Sequence, residues 1–210
     1  MAPPPSVRIE PLSEATWEPL AALFREGGDP RWCYCQFWRL RSKDFAPLHV
    51  PELRERLHEQ ARSDLPPGLV ALERLPAGDA VDGGPGAERA IGWVGFGPRT
   101  SFQRVVHSKV IPAIDDRPVW SIVCFASTPS ARGRGLGRAL LAAAVGYAAE
   151  HGAPAIEAYP LDLAPGEQVA AAAAYTGTLA MFEAAGFRVV ADNASDPSAT
   201  HRRVVVRLEL

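Results

Sequence analysis

The stretch PVWSIVCFASTPSARGRGLGRALLAAAVGYAAEHG (118–152) decides how this chain folds. It opens on a near-continuous apolar run (118–127), the pattern of a strand buried on both faces and so central in its sheet. It closes on an alanine-leucine run that stacks Leu136, Leu140, Ala144 and Tyr147 on one helical face, with Gly152 and Pro154 as the stop. Between them lies ARGRGLGR (131–138), with three glycines and three arginines in eight positions. A helix N-terminus leaves about four amide N–H groups unpaired and carries partial positive charge. Gly133, Gly135 and Gly137 clear side chains from that backbone, and Leu136 anchors the helix behind it. Arg132, Arg134 and Arg138 add charge-assisted donors. The corner is built to hold a phosphate group, and best a pyrophosphate.

The flanking sequence reads as one mixed α/β domain over 7–210, after a disordered Pro-rich lead at 1–6. Alternation marks a first strand at 7–12. Ser13 then caps a helix carrying Trp17, Leu20, Leu23 and Phe24, with Gly27 and Gly28 at its end. RWCYCQFWRL (31–40) is aromatic-dense and open to more than one assignment. A second helix is expected over 51–64, and strands over 68–75 and 90–97 around a Gly/Pro/Asp loop at 76–89. VVHSKVI (105–111) reads as a short strand or as irregular chain. Beyond the corner come a strand at 155–161, a short helix over 176–187, and a closing antiparallel pair at 187–192 and 202–210.

Composition narrows the function classes. The chain has 210 residues, 47% apolar and 22% charged, with 22 basic and 24 acidic side chains and a formal charge of −2. A near-neutral chain is a poor general nucleic-acid binder. No apolar run reaches the ~18–20 residues of a membrane span. Three cysteines, Cys33, Cys35 and Cys124, form no disulfide framework, and the start of the chain has no signal-peptide pattern, so a cytoplasmic setting is expected. Cys33-x-Cys35 with five scattered histidines shows no four-ligand spacing, so no metal is expected.

Three phosphate ligands compete for the corner. The P-loop pattern is absent, which argues against a nucleoside triphosphatase. A dinucleotide is suggested by the Gly-rich turn and by Glu157, twenty residues past Gly137, where a ribose-binding acid sits. Against it, ASTPSAR is too long for the tight first turn, and the corner comes late in the chain. The third ligand is coenzyme A. Arg132-x-x-Gly135-x-Gly137, in the context TPSARGRGLGRALL, resembles the pyrophosphate-binding signature of the GNAT superfamily of acyl-CoA-dependent N-acyltransferases. TLAMFEAAGF (178–187) is similar to that family's following block, and the resemblance is firmest over 118–190.

The resemblance implies a mixed, mostly antiparallel central sheet flanked by helices, with two central strands that splay apart. It implies acetyl-CoA as co-substrate, no metal, and direct attack by a primary amine of an acceptor, either a small molecule or a peptide. It leaves a homodimer open. The pantetheine arm and acyl carbonyl would lie along Phe125, Ala126 and Ser127, facing Glu157 to Tyr159 on the next strand. The family's usual tyrosine acid is replaced by Phe182, so either the thiolate leaves unaided or another hydroxyl serves, with Tyr159 or Tyr175 the expected donor. Glu157, in an otherwise apolar strand, is the expected base, or else a salt-bridge partner of one of the many arginines. Trp32, Tyr34 and Trp38 follow the first helix and are expected either to wall the acceptor pocket, suited to an apolar or cationic amine, or to pack as core. A catalytically weak acyl-CoA-sensing module remains the alternative function, with a dinucleotide oxidoreductase third.

Overall fold

The computed structural model describes residues 7–26, 30–75, 87–109, 111, 113–164, 167, 169, 174–192 and 202–210. The expected lead at 1–6, the glycine stop at 27–28, most of the loop at 76–89 and the polar loop at 193–201 lie outside them. The elements are β1 (Val7–Pro11), α1 (Glu14–Arg25), α2 (Pro30–Cys33), α3 (Gln36–Arg39), α4 (Ser42–Phe45), α5 (Val50–Gln60), β2 (Gly68–Arg74) and β3 (Glu88–Pro98). They continue with α6 (Gln103–Val106), β4 (Trp120–Ser127), α7 (Leu136–Glu150), β5 (Ala155–Ala158), α8 (Leu179–Glu183), β6 (Arg188–Asp192) and β7 (Val204–Glu209). Among the described residues, no helix is long and apolar enough to cross a membrane.

The strands form one seven-stranded sheet in the order β1-β2-β3-β4-β5-β7-β6. Every neighbouring pair is antiparallel except β4–β5. A single parallel pair is the footprint of one β-helix-β crossover, made by α7. This topology rules out the dinucleotide alternative, which needs a doubly wound parallel sheet. The mixed α/β architecture expected from the sequence is the one observed.

Two apolar clusters sandwich the sheet. On one face Leu20, Phe24, Trp38, Leu57, Val70, Trp93 and Tyr159 pack under the early helices. On the other, Val94, Phe96, Ile122, Leu136, Leu140, Ala144, Ile156 and Phe182 pack under α7 and α8. Each fully buried side chain of this kind contributes about 1.5–3 kcal/mol. Gly92 sets how closely α7 approaches: a Cβ there would meet Leu136 Cδ2 at 2.8 Å and Leu140 Cδ1 at 3.1 Å.

Two local features of β4 position the site. First, pairing with β3 steps from Gly95–Cys124 to Phe96–Ile122, so Val123 is an extra residue, a β-bulge. A bulge shifts the side-chain alternation by one. Val123 and Cys124 therefore both join the first cluster, Phe125 turns to the α7 face, and Ala126 returns to the first. Second, β4 pairs with β5 only over Trp120–Ile122. β5 ends at Ala158, and Pro160, two residues on, has no N–H to continue a ladder. From Val123 on, the β5-facing edge of β4 has no strand partner among the described residues. This is the expected splay.

The structure settles three segments. Residues 31–40 form the single turns α2 and α3, joined by Tyr34 and Cys35 at φ 42° and 55°. Of 105–111, Val105 and Val106 end α6, and the described residues beyond them are irregular chain, one of the two readings. Only Leu179–Glu183 of the expected 176–187 helix is α-helical, preceded by a 3-10 turn at Ala174–Thr176.

Candidate active site

The Arg/Gly corner forms a cradle of donors. Gly133 and Gly135 sit at φ +72° and +78°, left-handed backbone that costs other residues about 1 kcal/mol. Gly135 is the N-cap of α7, and the first helical bond closes from the Ala139 N–H to the Gly135 carbonyl. The N–H groups of 133–138 have no acceptor among the described residues. A Cβ on Gly133 would meet nothing within 4 Å, and one on Gly137 would make only an ordinary contact with Met181 Sδ at 3.6 Å. A diphosphate fits this donor set.

The three arginines are not equivalent. Arg134 donates to Glu73 at 2.9 Å, alongside Arg89 at 2.8 Å. The hydrogen bond from Arg89, then that from Arg134, holds the Glu73 carboxyl below the usual carboxylate range. Arg132 and Arg138 are exposed and have no carboxylate partner among the described residues. Arg132→Ala and Arg138→Ala are each expected to weaken acetyl-CoA binding by about 1–3 kcal/mol, the worth of a charge-assisted bond. Arg134→Ala should cost less, because its charge is already partly neutralised. Titration calorimetry on the three variants checks the ranking.

Beside the cradle runs the open edge of β4. Phe125, Ala126 and Ser127 pair with Val94, Trp93 and Gly92 on one side. In such a strand, alternate residues turn both N–H and C=O to the opposite edge, which here is unpaired. Phe125 meets Phe182 edge-on at 6.2 Å, and Phe182 meets Phe187 at 5.1 Å. Phe182 is 0% exposed. It is core on the α7 side, so the position that lacks a hydroxyl is filled by packing.

Glu157 lies at the closed end of the split, opposite Ser121 in register. It is 0% exposed and held on both oxygens. Arg99 Nη1 reaches Oε2 at 3.1 Å and Arg207 Nη2 reaches Oε1 at 2.6 Å. Arg207 also binds the exposed Asp115. The result is a network of two carboxylates and two guanidiniums, neutral in sum. The salt bridge left open by the sequence is present. Tyr159 donates to Glu157 Oε2 at 3.4 Å and lies 2.8 Å from Ser121 Oγ. Burial first, then the Glu157 charge, pushes the Tyr159 phenol well above its ordinary value. It stays protonated at any physiological pH.

The aromatic segment divides. Trp32 is 59% exposed, with the Arg31 guanidinium over its ring. Tyr34 is buried, edge-on to Phe24 at 5.6 Å. Only Trp38 reaches the catalytic candidates, with Tyr159 at 6.3 Å and Tyr175 at 6.5 Å. Tyr175 is half-buried in the 3-10 turn that lies against β4. Arg203 donates to the Tyr159 carbonyl and to Thr176 Oγ1 at 2.8 Å, tying that turn to the end of β5. Of the other acids and bases, Asp162 pairs with Arg202 at 3.1 Å, and His107 is exposed and bonded to Arg41.

The structure also gathers the cysteines, which the sequence left apart. Trp93 Nε1 donates to Cys35 Sγ at 3.1 Å, and Cys35 and Cys124 lie 3.9 Å apart. The hydrogen bond to Cys124, reinforced by burial, pushes the Cys35 thiol well above its usual value. Such a thiol is a packing group, not a nucleophile. Among the described residues, no group of three His, Cys, Asp or Glu side chains is arranged to hold a metal.

A mostly antiparallel sheet that splits at its one parallel pair, with a donor-rich helix start beside the split, defines an α/β protein of the acyltransferase fold class. A profile of the Acetyltransferase (GNAT) family matches residues 34–178, more than half of the chain, and the chain belongs to that family. The family's general activity is acetyl transfer from acetyl-CoA. No curated protein matches the chain. Among solved structures, it is similar to a GCN5-related N-acetyltransferase from Kribbella flavida, with 18% identity, 98% of each chain covered and TM-score 0.52. It is also similar to Arabidopsis thaliana NAA60 in complex with acetyl-CoA, with 12% identity, 97% and 98% covered and TM-score 0.53. A third similar structure is the NatC complex bound to Gag peptide and CoA, with 14% identity, 98% and 99% covered and TM-score 0.54. At these identities the likeness is one of fold.

Proposed function

We propose that this chain is an acetyl-CoA-dependent N-acetyltransferase in which a primary amine of the acceptor attacks the thioester directly. The carrying observation is the run of N–H groups at 133–138 without acceptors among the described residues, beside the open edge of β4. Acetyl-CoA supplies, when bound, the activated acyl carbonyl. Gly133 to Arg138, with Arg132, hold its diphosphate, and the free edge of Phe125–Ser127 orients the arm and donates to the carbonyl oxygen. The reading keeps a single domain over 7–210, a cytoplasmic setting and no metal, as expected from the sequence.

Glu157, expected as the base, is read instead as a positioning residue. Both of its oxygens are already held by guanidiniums, and it is 0% exposed, so neither oxygen faces an incoming amine. Its role is to hold Tyr159 and the closed end of the split. Tyr175, in the turn that lies against β4 and beside Trp38, is placed as the proton donor to the departing thiolate. Arg104 and Arg203 both lie within electrostatic reach of Tyr175. The attacking amine loses its proton to water in the open gap.

Tyr175→Phe is expected to lower kcat by about 100-fold, the low end of general-acid contributions. Acetyl-CoA affinity should stay unchanged. A thiol-release assay over pH 6–9, with calorimetry alongside, measures both. An unchanged kcat would remove Tyr175 from the mechanism. Acetyl-CoA binding with no thiol release across a broad amine panel would instead favour the acyl-CoA-sensing alternative.

A further inference from the structure

Between α4 and α6 lies a cavity of about 380 Å³ lined by Arg41, Ser42, Lys43, Gln103, Arg104 and His107. Three of these side chains carry fixed positive charge, and none carries negative charge. That is unusual in a chain that elsewhere pairs arginine with carboxylate, as in Arg89–Glu73, Arg117–Glu209, Arg202–Asp162 and Arg207–Glu157. Arg104 spends its donors on neutral groups: Nε on the Phe37 carbonyl at 2.7 Å and Nη1 on Ser42 Oγ at 2.8 Å. Arg41 donates to His107 Nε2, which accepts only as a neutral imidazole. Lys43 has no carboxylate partner among the described residues. Asp44, on the same helix, is exposed and does not line the cavity.

A chain of ring contacts runs from the cavity wall toward the proposed reaction site. The Arg104 guanidinium lies 3.9 Å over Phe37, and Phe37 meets Trp38 at 5.4 Å. Trp38 in turn lies against Tyr175 and Tyr159. The one guanidinium of Arg104 lies over Phe37 and within 5.8 Å of the Phe45 ring. At this end of the aromatic band the cation–π position is held by the protein itself, and a second cation would meet like charge. Trp38 also buries its indole N–H with no acceptor among the described residues, a cost that an incoming acceptor atom relieves.

We propose that this cavity is the subsite for an oxyanion carried by the acceptor. The substrate is then a small amine whose far end bears a carboxylate or a phosphate, held by Arg41, Lys43 and Arg104 while its amine reaches past Trp38 to the β4–β5 split. Cationic acceptors such as polyamines are selected against by the same charges. The inference rests on the N-acetyltransferase reading, and the test separates the two.

Four amines of equal chain length serve as probes, each with its ten-carbon homologue to cover the ring contacts of 3.9, 5.4 and 6.5 Å between Arg104 and Tyr175: pentylamine, 5-aminopentanoate, 5-aminopentyl phosphate and cadaverine. Each is titrated calorimetrically into the CoA-saturated protein and assayed for thiol release with acetyl-CoA. The two anionic amines are expected to bind at least tenfold more tightly than pentylamine, with cadaverine weakest; the better of the two identifies the oxyanion. In Arg41→Gln/Lys43→Gln, whose positions are at the surface, KM for the anionic amines should rise at least tenfold with kcat within about twofold. Equal or stronger binding of cadaverine, or an anionic-amine KM within twofold in the double variant, overturns the subsite. Selective binding of the anionic amines without thiol release would uphold the subsite and defeat the transferase reading.

Discussion

Gly135→Glu abolishes acetyl-CoA binding, with at least a 100-fold loss of affinity, or about 2.8 kcal/mol. Two effects act together. The left-handed φ of +78° at this N-cap strains any residue with a Cβ, at about 1 kcal/mol. More important, a carboxylate is placed among the N–H groups of 133–138, where it satisfies the donors itself and repels the diphosphate. Gly146→Glu is the control. It lies on the same helix, and a Cβ there meets nothing within 4 Å. It adds the same charge away from the helix start and should bind acetyl-CoA as the parent does. Calorimetry with CoA on both variants gives the answer, and parental affinity in Gly135→Glu would end the cradle assignment.

Glu157→Gln is expected to destabilise the fold by about 3–5 kcal/mol, the usual cost of removing one member of a buried ion pair. For a chain of this size that lowers Tm by roughly 6–20 °C. Arg99 loses its carboxylate outright, while Arg207 keeps Asp115. Adding Arg99→Leu to Glu157→Gln removes the orphaned charge and should recover part of the loss. The outer pair survives moderate acid. The hydrogen bond from Arg207 holds the Asp115 carboxyl below its usual value, so its contribution is complete above the unfolded value of about 3.9. It fades only as pH falls through the lower folded value. If Glu157 were the general base, the outcome would differ: parental Tm, with turnover lost at neutral pH and restored toward alkaline pH. Thermal melts and a pH–rate profile on the one variant decide between the two roles.

Much of the site was legible in 118–152 because the chemistry there is local. The amides left without acceptors follow from a helix starting at Leu136, and their accessibility follows from glycine at Gly133 and Gly135. Both conditions are met within eight consecutive residues, so no distant contact is needed to recognise them. The closing pair β6–β7 and the opening β1–α1 unit were likewise local, with alternation followed by a capping serine. At that cap the Thr16 hydroxyl accepts the Ser13 N–H at 2.9 Å.

What escaped the sequence depends on pairing across long chain separations. Arg99 and Arg207 lie 58 and 50 residues from Glu157, and nothing in their own neighbourhoods marks them as its partners. The sequence offered the salt bridge only as an alternative, since a carboxylate in an apolar strand needs either a partner or a task. The bulge at Val123 changes which face Phe125 and Ala126 occupy, and a register shift is a property of two strands, not of one. Residues 103–106 form a helical turn that puts Phe102 and Val105 into the first cluster, a cover that the local sequence, read over 105–111 as strand or irregular chain, does not reveal.

The sequence by itself determined the sheet-and-crossover architecture, the donor cradle and, through them, the family. Backbone donors, glycine freedom and apolar periodicity are encoded within a few residues of where they act. Only the tertiary structure decided which side chains are available for chemistry. It withdrew Glu157 into an ion-pair network, placed Phe182 in the core, left Tyr175 beside Trp38, and brought Arg41, Lys43 and Arg104 around one cavity. Availability depends on burial and on the charges nearby, and both are set by segments that meet only when the chain has folded.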